Sequence, residues 1–329
     1  MKKYISTVIA VILALSVVLL IWSDENKKTV KFGMGIVSSY GECKNASAEA
    51  DGQGEAVVNI AAVLVDDNGK IVKCVLDCAD NKVQFTSEGT AVEAGEFKTK
   101  YELGDNYNMV AYGGAKLEWY QQADAFCGVV EGKTIEQVKA LIAEDYTVSD
   151  EVINAGCTIY AGDFIKAIEQ AVANAKDSKA TDDSTLKLGV VTSQSNTDAT
   201  ADANGKIEVS TTIVAAARDV NNNVVAASTD VAAVNIEFDK KGVCTTDTTA
   251  EIATKYQLGD NYNMVAYGGA KLEWYQQADA FSNTLIGKNS TAIEALIADD
   301  GKGVEEVQTA GCTIYVSDLV KAAVKAAAI

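Results

Sequence analysis

The sequence predicts an α+β protein made of two tandem copies of an antiparallel-sheet-plus-helices domain, behind an N-terminal transmembrane helix. Three observations lead to this prediction. A 24-residue segment occurs twice, strand-like segments precede helix-like ones in each half, and an uncharged apolar run follows the first three residues. Strands that are followed by helices along the chain are typical of the α+β class.

The internal repeat sets the domain organisation. The segment LGDNYNMVAYGGAKLEWYQQADAF spans Leu103–Phe126 and recurs unchanged at Leu258–Phe281, an offset of 258 − 103 = 155. A period this long, with two copies, suits two globular domains better than a solenoid, whose units run to about 20–50 residues. We therefore expect a first domain at 30–175 (copy 1), a linker at 176–186 and a second domain at 187–329 (copy 2). A shared working surface and a recent duplication explain the identical block equally well.

The first half of each copy is rich in β-branched and small apolar residues, which indicates strands. In copy 1, Val57–Val65 and Ile71–Cys78 flank the turn-forming Asp66–Gly69, which predicts a hairpin. Copy 2 repeats this layout around another turn. The corresponding predicted strands are Ile207–Ala217 and Val224–Val231, and shorter strands follow at Val83–Phe85 and Val234–Phe238.

The second half of each copy has helical periodicity. The segment Lys116–Val130 carries an apolar stripe, so it predicts a helix that buries an aromatic face. Thr134 with Gln137 forms a capping box, which predicts the start of the next helix. We also predict a short strand at Cys157–Tyr160. The closing helix is marked by Phe164, Ile165, Ile168 and Val172 in copy 1 and by Leu319, Val320, Ala323 and Ala327 in copy 2.

The N-terminus predicts export. After two lysines, Tyr4–Trp22 is an uncharged apolar run about as long as a helix needs to cross a bilayer. We expect residues 1–29 to be a signal anchor in the cell membrane, with the C-terminal bulk extracytoplasmic, because lysines favour the cytoplasmic side. The alternative is a cleaved signal peptide, which would make the protein secreted.

Composition excludes several classes of function. The formal net charge of −18 disfavours nucleic-acid binding, because phosphates repel an acidic surface. The absence of histidine removes His-dependent catalytic triads and His-ligated metal sites, and we predict no metal. Seven cysteines leave at least one unpaired within the chain. Cys74 and Cys78 should not pair with each other, since four residues of strand span roughly 13 Å.

Aromatic residues are dense in the repeated block. Tyr107, Tyr112, Trp119 and Tyr120 recur in copy 2 beside a Gly-Gly pair. One interpretation is an aromatic pocket under a flexible loop, which would suit a flat ligand ring. The other is a hydrophobic core face, since aromatic rings at helical spacing commonly pack inside.

The order of elements resembles the FMN-binding domain family. The features that carry the resemblance are a hairpin with Asp-Asn-Gly-Lys-Ile-Val, a Leu-Gly-Asp segment, a Trp-containing helix, and Ala-Gly-Cys-Thr-Ile ahead of a closing helix. That family includes flavin-carrying subunits of membrane oxidoreductases and extracytoplasmic electron-transfer lipoproteins. In its [Ser/Thr]-Gly-Ala-Thr motif, the threonine hydroxyl is esterified to the FMN phosphate.

The resemblance implies a cofactor-binding segment in each copy. Thr158 and Thr313 would be the attachment residues, and Gly156 and Gly311 would let the backbone approach the phosphate. The motif-flanking positions differ from the family's: Ala155 and Ala310 replace the hydroxyl residue, Cys157 and Cys312 replace alanine, and Val152 and Val307 stand at the aspartate position, with Glu151 and Glu306 displaced by one. Covalent FMN, non-covalent FMN and loss of the cofactor therefore remain open.

These features together predict a membrane-anchored extracytoplasmic FMN-binding electron-transfer protein. It would be a redox carrier or binding protein, not a stand-alone enzyme. Its partners would be the bilayer, through the N-terminal helix, and a membrane reductase or envelope partner. The alternative is a cofactor-free cell-surface binding or structural module in which duplication gives avidity.

Overall fold

The computed structural model describes residues 27–143 and 147–329. Two antiparallel sheets and a set of helices confirm the α+β class. The predicted transmembrane helix requires a correction, because the described part of the chain contains no helix with the length and apolar character needed to span a membrane. The apolar run to which that prediction was assigned, Tyr4–Trp22, lies outside the described residues.

Copy 1 begins with long strands and continues with helices. Its strands are β1 (Thr29–Lys44), β2 (Gly52–Val65), β3 (Ile71–Phe85) and β4 (Ala91–Val92). Its helices are α1 (Lys100–Leu103), a 3₁₀ turn (Gly104–Tyr107), α2 (Trp119–Val130), α3 (Ile135–Lys139), α4 (Asp150–Ala155) and α5 (Gly162–Ala173).

Copy 2 repeats this order after one extra strand. The strands are β5 (Lys176–Thr181), β6 (Thr185–Thr197), β7 (Gly205–Arg218) and β8 (Val224–Phe238). The helices are α6 (Lys255–Leu258), a 3₁₀ turn (Gly259–Tyr262), α7 (Trp274–Thr284), α8 (Ser290–Glu294), α9 (Glu305–Ala310) and α10 (Ser317–Ala327).

The strands form two sheets, one for each copy. Their orders are β4-β3-β2-β1-β5 and β6-β7-β8, with every neighbouring pair antiparallel. The hairpins have the same register in both copies, since Gly52 faces Phe85 and Gly205 faces Phe238. Much of the segment predicted as a linker is β5, which pairs with β1. The connection between the copies is therefore part of the first sheet.

The two sheets pack face to face, and helices cover their outer faces. On β2, Ile60 and Leu64 lie in a core shared with Ile213 of β7, while Val63 lies in a separate core with the helices of copy 1. Phe85 and Phe238 stack across the sheet interface with ring centroids 4.5 Å apart. The result is a four-layer arrangement of helices, sheet, sheet and helices.

The closing helix of each copy approaches its sheet closely at a glycine. A Cβ at Gly35 would collide with the carbonyl oxygen of Ala167 in α5, and one at Gly189 with that of Ala322 in α10. Only glycine allows this approach, because any side chain would push the helix away.

One disulfide joins the two copies. Cys43 at the end of β1 bonds to Cys244, which follows β8, with a Cα separation of 6.2 Å. The remaining cysteines are free and buried, and Cys74 and Cys78 are not paired, as predicted. A covalent bond between the copies fixes one sheet against the other at this end.

Candidate functional site

The segment predicted to bind a cofactor follows a sharp helix end. Helix α4 ends at Gly156, whose φ of 105° lies in the left-handed region, and α9 ends in the same way at Gly311, with a φ of 113°. A Cβ at Gly156 would also lie 2.8 Å from the side chain of Leu117. Helix termination and this contact account locally for the glycine; approach to a phosphate stays a prediction.

The cysteine and the threonine of the predicted cofactor segment differ in burial. Cys157 and Cys312 are buried in the hydrophobic cores of their copies, whereas Thr158 and Thr313 are exposed. Burial raises the pKa of the Cys157 thiol and raises that of Cys312 to about 11. Thiols with raised pKa values are poor nucleophiles and poor ligands, so these two serve packing.

The predicted strand at Cys157–Tyr160 is wrong. The backbone N–H of Thr158 donates to the side-chain oxygen of Gln122 at 2.8 Å, and the Thr158 hydroxyl donates to the same oxygen at 3.0 Å. A side chain thus takes the hydrogen bond that a neighbouring strand would have accepted. Gln277 holds Thr313 at the same two distances in copy 2.

Gln122 connects the threonine to the repeated block. Its amide nitrogen donates to the carbonyl oxygen of Leu117 at 3.0 Å and lies 3.8 Å from the sulfur of Met109. The side chain is buried, so each of these polar contacts replaces one with water. Gln122 and Gln277 are the residues that the sequence analysis missed. The sequence signal for these two residues was their position in the identical block, but no function could be assigned to that block.

A buried carboxylate fixes the loop before α2. Glu118 is buried and accepts hydrogen bonds from the backbone N–H groups of Met109 at 2.8 Å and Val110 at 3.1 Å. Glu273 makes the equivalent bonds in copy 2. The loop is therefore held at its base, and its tip residues Tyr112 and Tyr267 are 88% and 89% exposed.

Some aromatic residues of the repeated block are buried and others are exposed, so the core interpretation and the pocket interpretation each fit part of the set. Trp119 and Trp274 are buried in the cores, as the core interpretation predicts, while Tyr112 lies at the loop surface. Tyr101 and Tyr120 meet edge to face at 5.9 Å, and the Tyr101 hydroxyl donates to Asp124. This surface next to α2 is aromatic, polar and present in both copies.

The acidic residues next to the predicted cofactor segment form salt bridges with lysines. Val152 and Val307 are buried, and the neighbouring Glu151 forms a salt bridge with Lys133 at 2.9 Å. Glu306 pairs with Lys288 in the same way at 2.7 Å. These carboxylates bind surface lysines and do not contact the threonines.

A cavity of about 320 Å³ is lined in part by Ile314 and Tyr315, the two residues that follow Thr313 in the sequence. Its walls include the aromatic residues Tyr262, Trp274 and Tyr315 and the ammonium group of Lys255. The volume is at the lower end of the range of about 300–1,000 Å³ that is common for small-molecule sites. In the described residues, no cluster of His, Cys, Asp and Glu has the arrangement of a metal site.

Comparison of the chain with protein-family models, with characterised proteins and with solved structures finds no match.

Proposed function

We propose that the protein is an extracytoplasmic flavin-carrying electron-transfer protein, with Thr158 and Thr313 as the FMN attachment residues. The observation that supports this most is that Thr158 and Thr313 are exposed residues whose hydroxyls are each held by a buried glutamine from the identical block. The glutamine gives each hydroxyl a fixed direction. Positioning of this kind is what a protein contributes when the cofactor supplies the chemistry.

The disulfide and the net charge of the chain support the same proposal. The disulfide between Cys43 and Cys244 is typical of proteins outside the cytoplasm, where disulfides persist. The net charge of −18 disfavours an anionic reduced flavin, so it lowers the reduction potential of a bound flavin. A low-potential carrier would pass electrons from a membrane reductase to an external acceptor.

Flavin content tests the proposal directly. The protein purified from its native host should show flavin absorbance, and flavin fluorescence should remain on the polypeptide after denaturing electrophoresis. That fluorescence should disappear in the Thr158→Val plus Thr313→Val variant and remain in the Thr158→Ser plus Thr313→Ser variant, which keeps the hydroxyls. Colourless protein from the native host would refute the proposal. A host without the enzyme that attaches flavin is not a fair test.

The second candidate is a cofactor-free surface-binding module, and the exposed loop tips favour it. Tyr112 and Tyr267 are 88% and 89% exposed, so packing of the fold does not account for a large aromatic ring at either loop tip. Tyrosine is an effective contact residue because its ring is large and rigid. On this view, either Tyr112→Ala or Tyr267→Ala should bind native cell envelopes much more weakly than the wild type, because avidity is lost, and the double variant should lose the remaining binding. Equal envelope binding by all forms would exclude it.

A further inference from the structure

The cavity that Ile314 and Tyr315 help to line combines the features that an anionic ring compound needs. Tyr262 and the 71% exposed Tyr315 provide aromatic surface. The Lys255 ammonium lies 5.5 Å from the ring centroid of Tyr262 and 5.9 Å from that of the buried Trp274. The hydroxyl-bearing Ser210 and Thr212 also line the cavity. A planar ring can stack on such walls while hydroxyl groups bind its edge.

Lys255 is the charged group available to a ligand. Among the described residues it forms no salt bridge, and the one carboxylate in the cavity wall, Asp318, pairs instead with Lys321 at 3.1 Å. The aromatic rings stabilise the ammonium group without neutralising its charge. An anionic group entering the cavity would therefore gain a charge-assisted hydrogen bond.

The equivalent lysine in copy 1 is already neutralised. Lys100 forms a salt bridge with Asp80 at 3.1 Å and lies over the ring of Tyr107. The hairpin register places Ala233 of β8 at the position of Asp80 in β3, so copy 2 lacks this carboxylate. Both copies have the lysine, but only copy 1 has the carboxylate that pairs with it.

Larger side chains also fill the equivalent space in copy 1. Phe164 stands where copy 2 has Leu319, and its ring packs against Trp119 with a centroid distance of 5.8 Å. Val57 stands where copy 2 has Ser210, which replaces a hydroxyl with an apolar group. These differences remove both volume and hydrogen-bonding capacity from copy 1.

We infer that the two copies are not equivalent, and that copy 2 alone holds the ring of a planar aromatic anion, with Lys255 binding its anionic group. This inference rests on the proposed function in naming flavin as the ring. Copy 1 then keeps Thr158 as an attachment residue, but its larger side chains fill the space that would hold the ring. A flavin joined to Thr313 has a ring site whose wall begins one residue beyond the attachment point.

The test is a titration of the full-length, flavin-free protein with FMN and with riboflavin, followed by the quenching of flavin fluorescence. We expect one FMN site per chain. FMN should bind more tightly than riboflavin, which lacks the phosphate. Lys255→Met should weaken FMN binding by about tenfold, the loss of one charge-assisted hydrogen bond, and should remove the preference over riboflavin.

Copy 1 provides the matched variants. Leu319→Phe imports its larger side chain and should abolish ring binding, and Ala233→Asp imports its carboxylate and should abolish the preference for FMN while Lys255 stays in place. Lys100→Met in copy 1 is the control and should leave FMN affinity unchanged. Thermal melting of each variant shows whether it is folded.

Three outcomes overturn the inference. Two equal sites per chain, or an equal loss of affinity in Lys100→Met and Lys255→Met, would contradict it and leave the proposed function intact. Absence of flavin binding to both the titrated protein and the protein from the native host would overturn both.

Discussion

Two buried aspartates show how single residues tie strands to helices in this fold. Asp230 of β8 accepts hydrogen bonds from the Thr254 hydroxyl at 2.5 Å and from the Tyr256 N–H at 3.0 Å. Asp77 of β3 accepts one from the Tyr101 N–H at 3.2 Å. Burial raises the pKa of both carboxyls from 3.8 to about 7, and these hydrogen bonds oppose the rise. Each aspartate thus holds the first turn of α1 or α6 to a strand.

The raised pKa values predict a pH dependence of stability. Between about pH 4 and pH 7 the folded state binds more protons than the unfolded state, so the free energy of unfolding falls as pH rises through this window. The full contribution is present below about pH 4. A rise from 3.8 to about 7 corresponds to at most about 4 kcal/mol per carboxyl. Urea unfolding at pH 4, 5.5 and 7 should show this fall, and the Asp77→Asn plus Asp230→Asn variant should lose most of it.

The control for this prediction is Asp202→Asn, which changes an exposed loop carboxylate. Its pH profile should follow that of the wild type. If the buried double variant and the wild type show parallel profiles, the two carboxyls do not have raised pKa values in the folded state and the argument is wrong.

At the residue scale, the sequence shows which residues are polar, aromatic or apolar, but not which of them contact each other in the fold. The sequence analysis did not single out Asp77 and Asp230, because each lies in a strand with other polar residues and nothing local marks it as buried. The roles of Gln122 and Gln277 could not be predicted, because their partners lie 36 positions along the chain.

At the element scale, the loop before α2 depends on one carboxylate with two roles. Glu118 caps the start of α2, where its own N–H donates to Gln121, and its side chain also binds the N–H groups of the loop. Removal of the side chain leaves Met109 and Val110 N–H groups without an acceptor. Such a loss costs roughly 1–3 kcal/mol for buried groups and less where water can replace the acceptor, as it can at the 43% exposed Val110.

We therefore expect Glu118→Ala to loosen the loop of copy 1 while the fold persists. Amide hydrogen exchange at the half-buried Met109 should accelerate by about fivefold or more, since a cost of about 1 kcal/mol raises the open population by that factor. Met264 and Val265 in copy 2 are the internal control and should remain protected. NMR assignment is required, because the two blocks have the same sequence. Unchanged exchange at Met109 would show that Glu118 does not hold the loop.

The sequence predicted elements well where local signals are strong. The hairpins, the capping box at Thr134 and the closing helices are all present, although the strands extend beyond the predicted ends. The short strands at Val83–Phe85 and Val234–Phe238 are continuations of β3 and β8. β1 and β6 were not predicted as strands, because glycines and polar residues weaken their strand signal. The predicted strand at Cys157–Tyr160 failed because a distant side chain competes for its N–H.

At the scale of the whole molecule, the copies form one body with a shared core. β2 is buried on both faces, with Ile60 and Leu64 in the shared core and Val63 in the core of copy 1. What the sequence could not predict is that the second face of each sheet is covered by the other copy. The expectation of two globular domains joined by a linker says nothing about this contact, because packing between sheets leaves no local pattern.

The disulfide between the copies predicts how this body loses stability. Cys43 and Cys244 are 201 residues apart, so their bond restricts a large part of the unfolded chain, and a typical contribution is about 2–4 kcal/mol. The Cys43→Ser plus Cys244→Ser variant should still fold, because the core between the sheets does not depend on the bond, but its unfolding midpoint in urea should fall by the corresponding amount. Reductant should lower the wild-type midpoint to that of the variant and leave the variant unchanged, because the remaining cysteines are free thiols. A reductant effect of equal size on both proteins would instead place the stabilising bond among Cys74, Cys78, Cys127, Cys157 and Cys312.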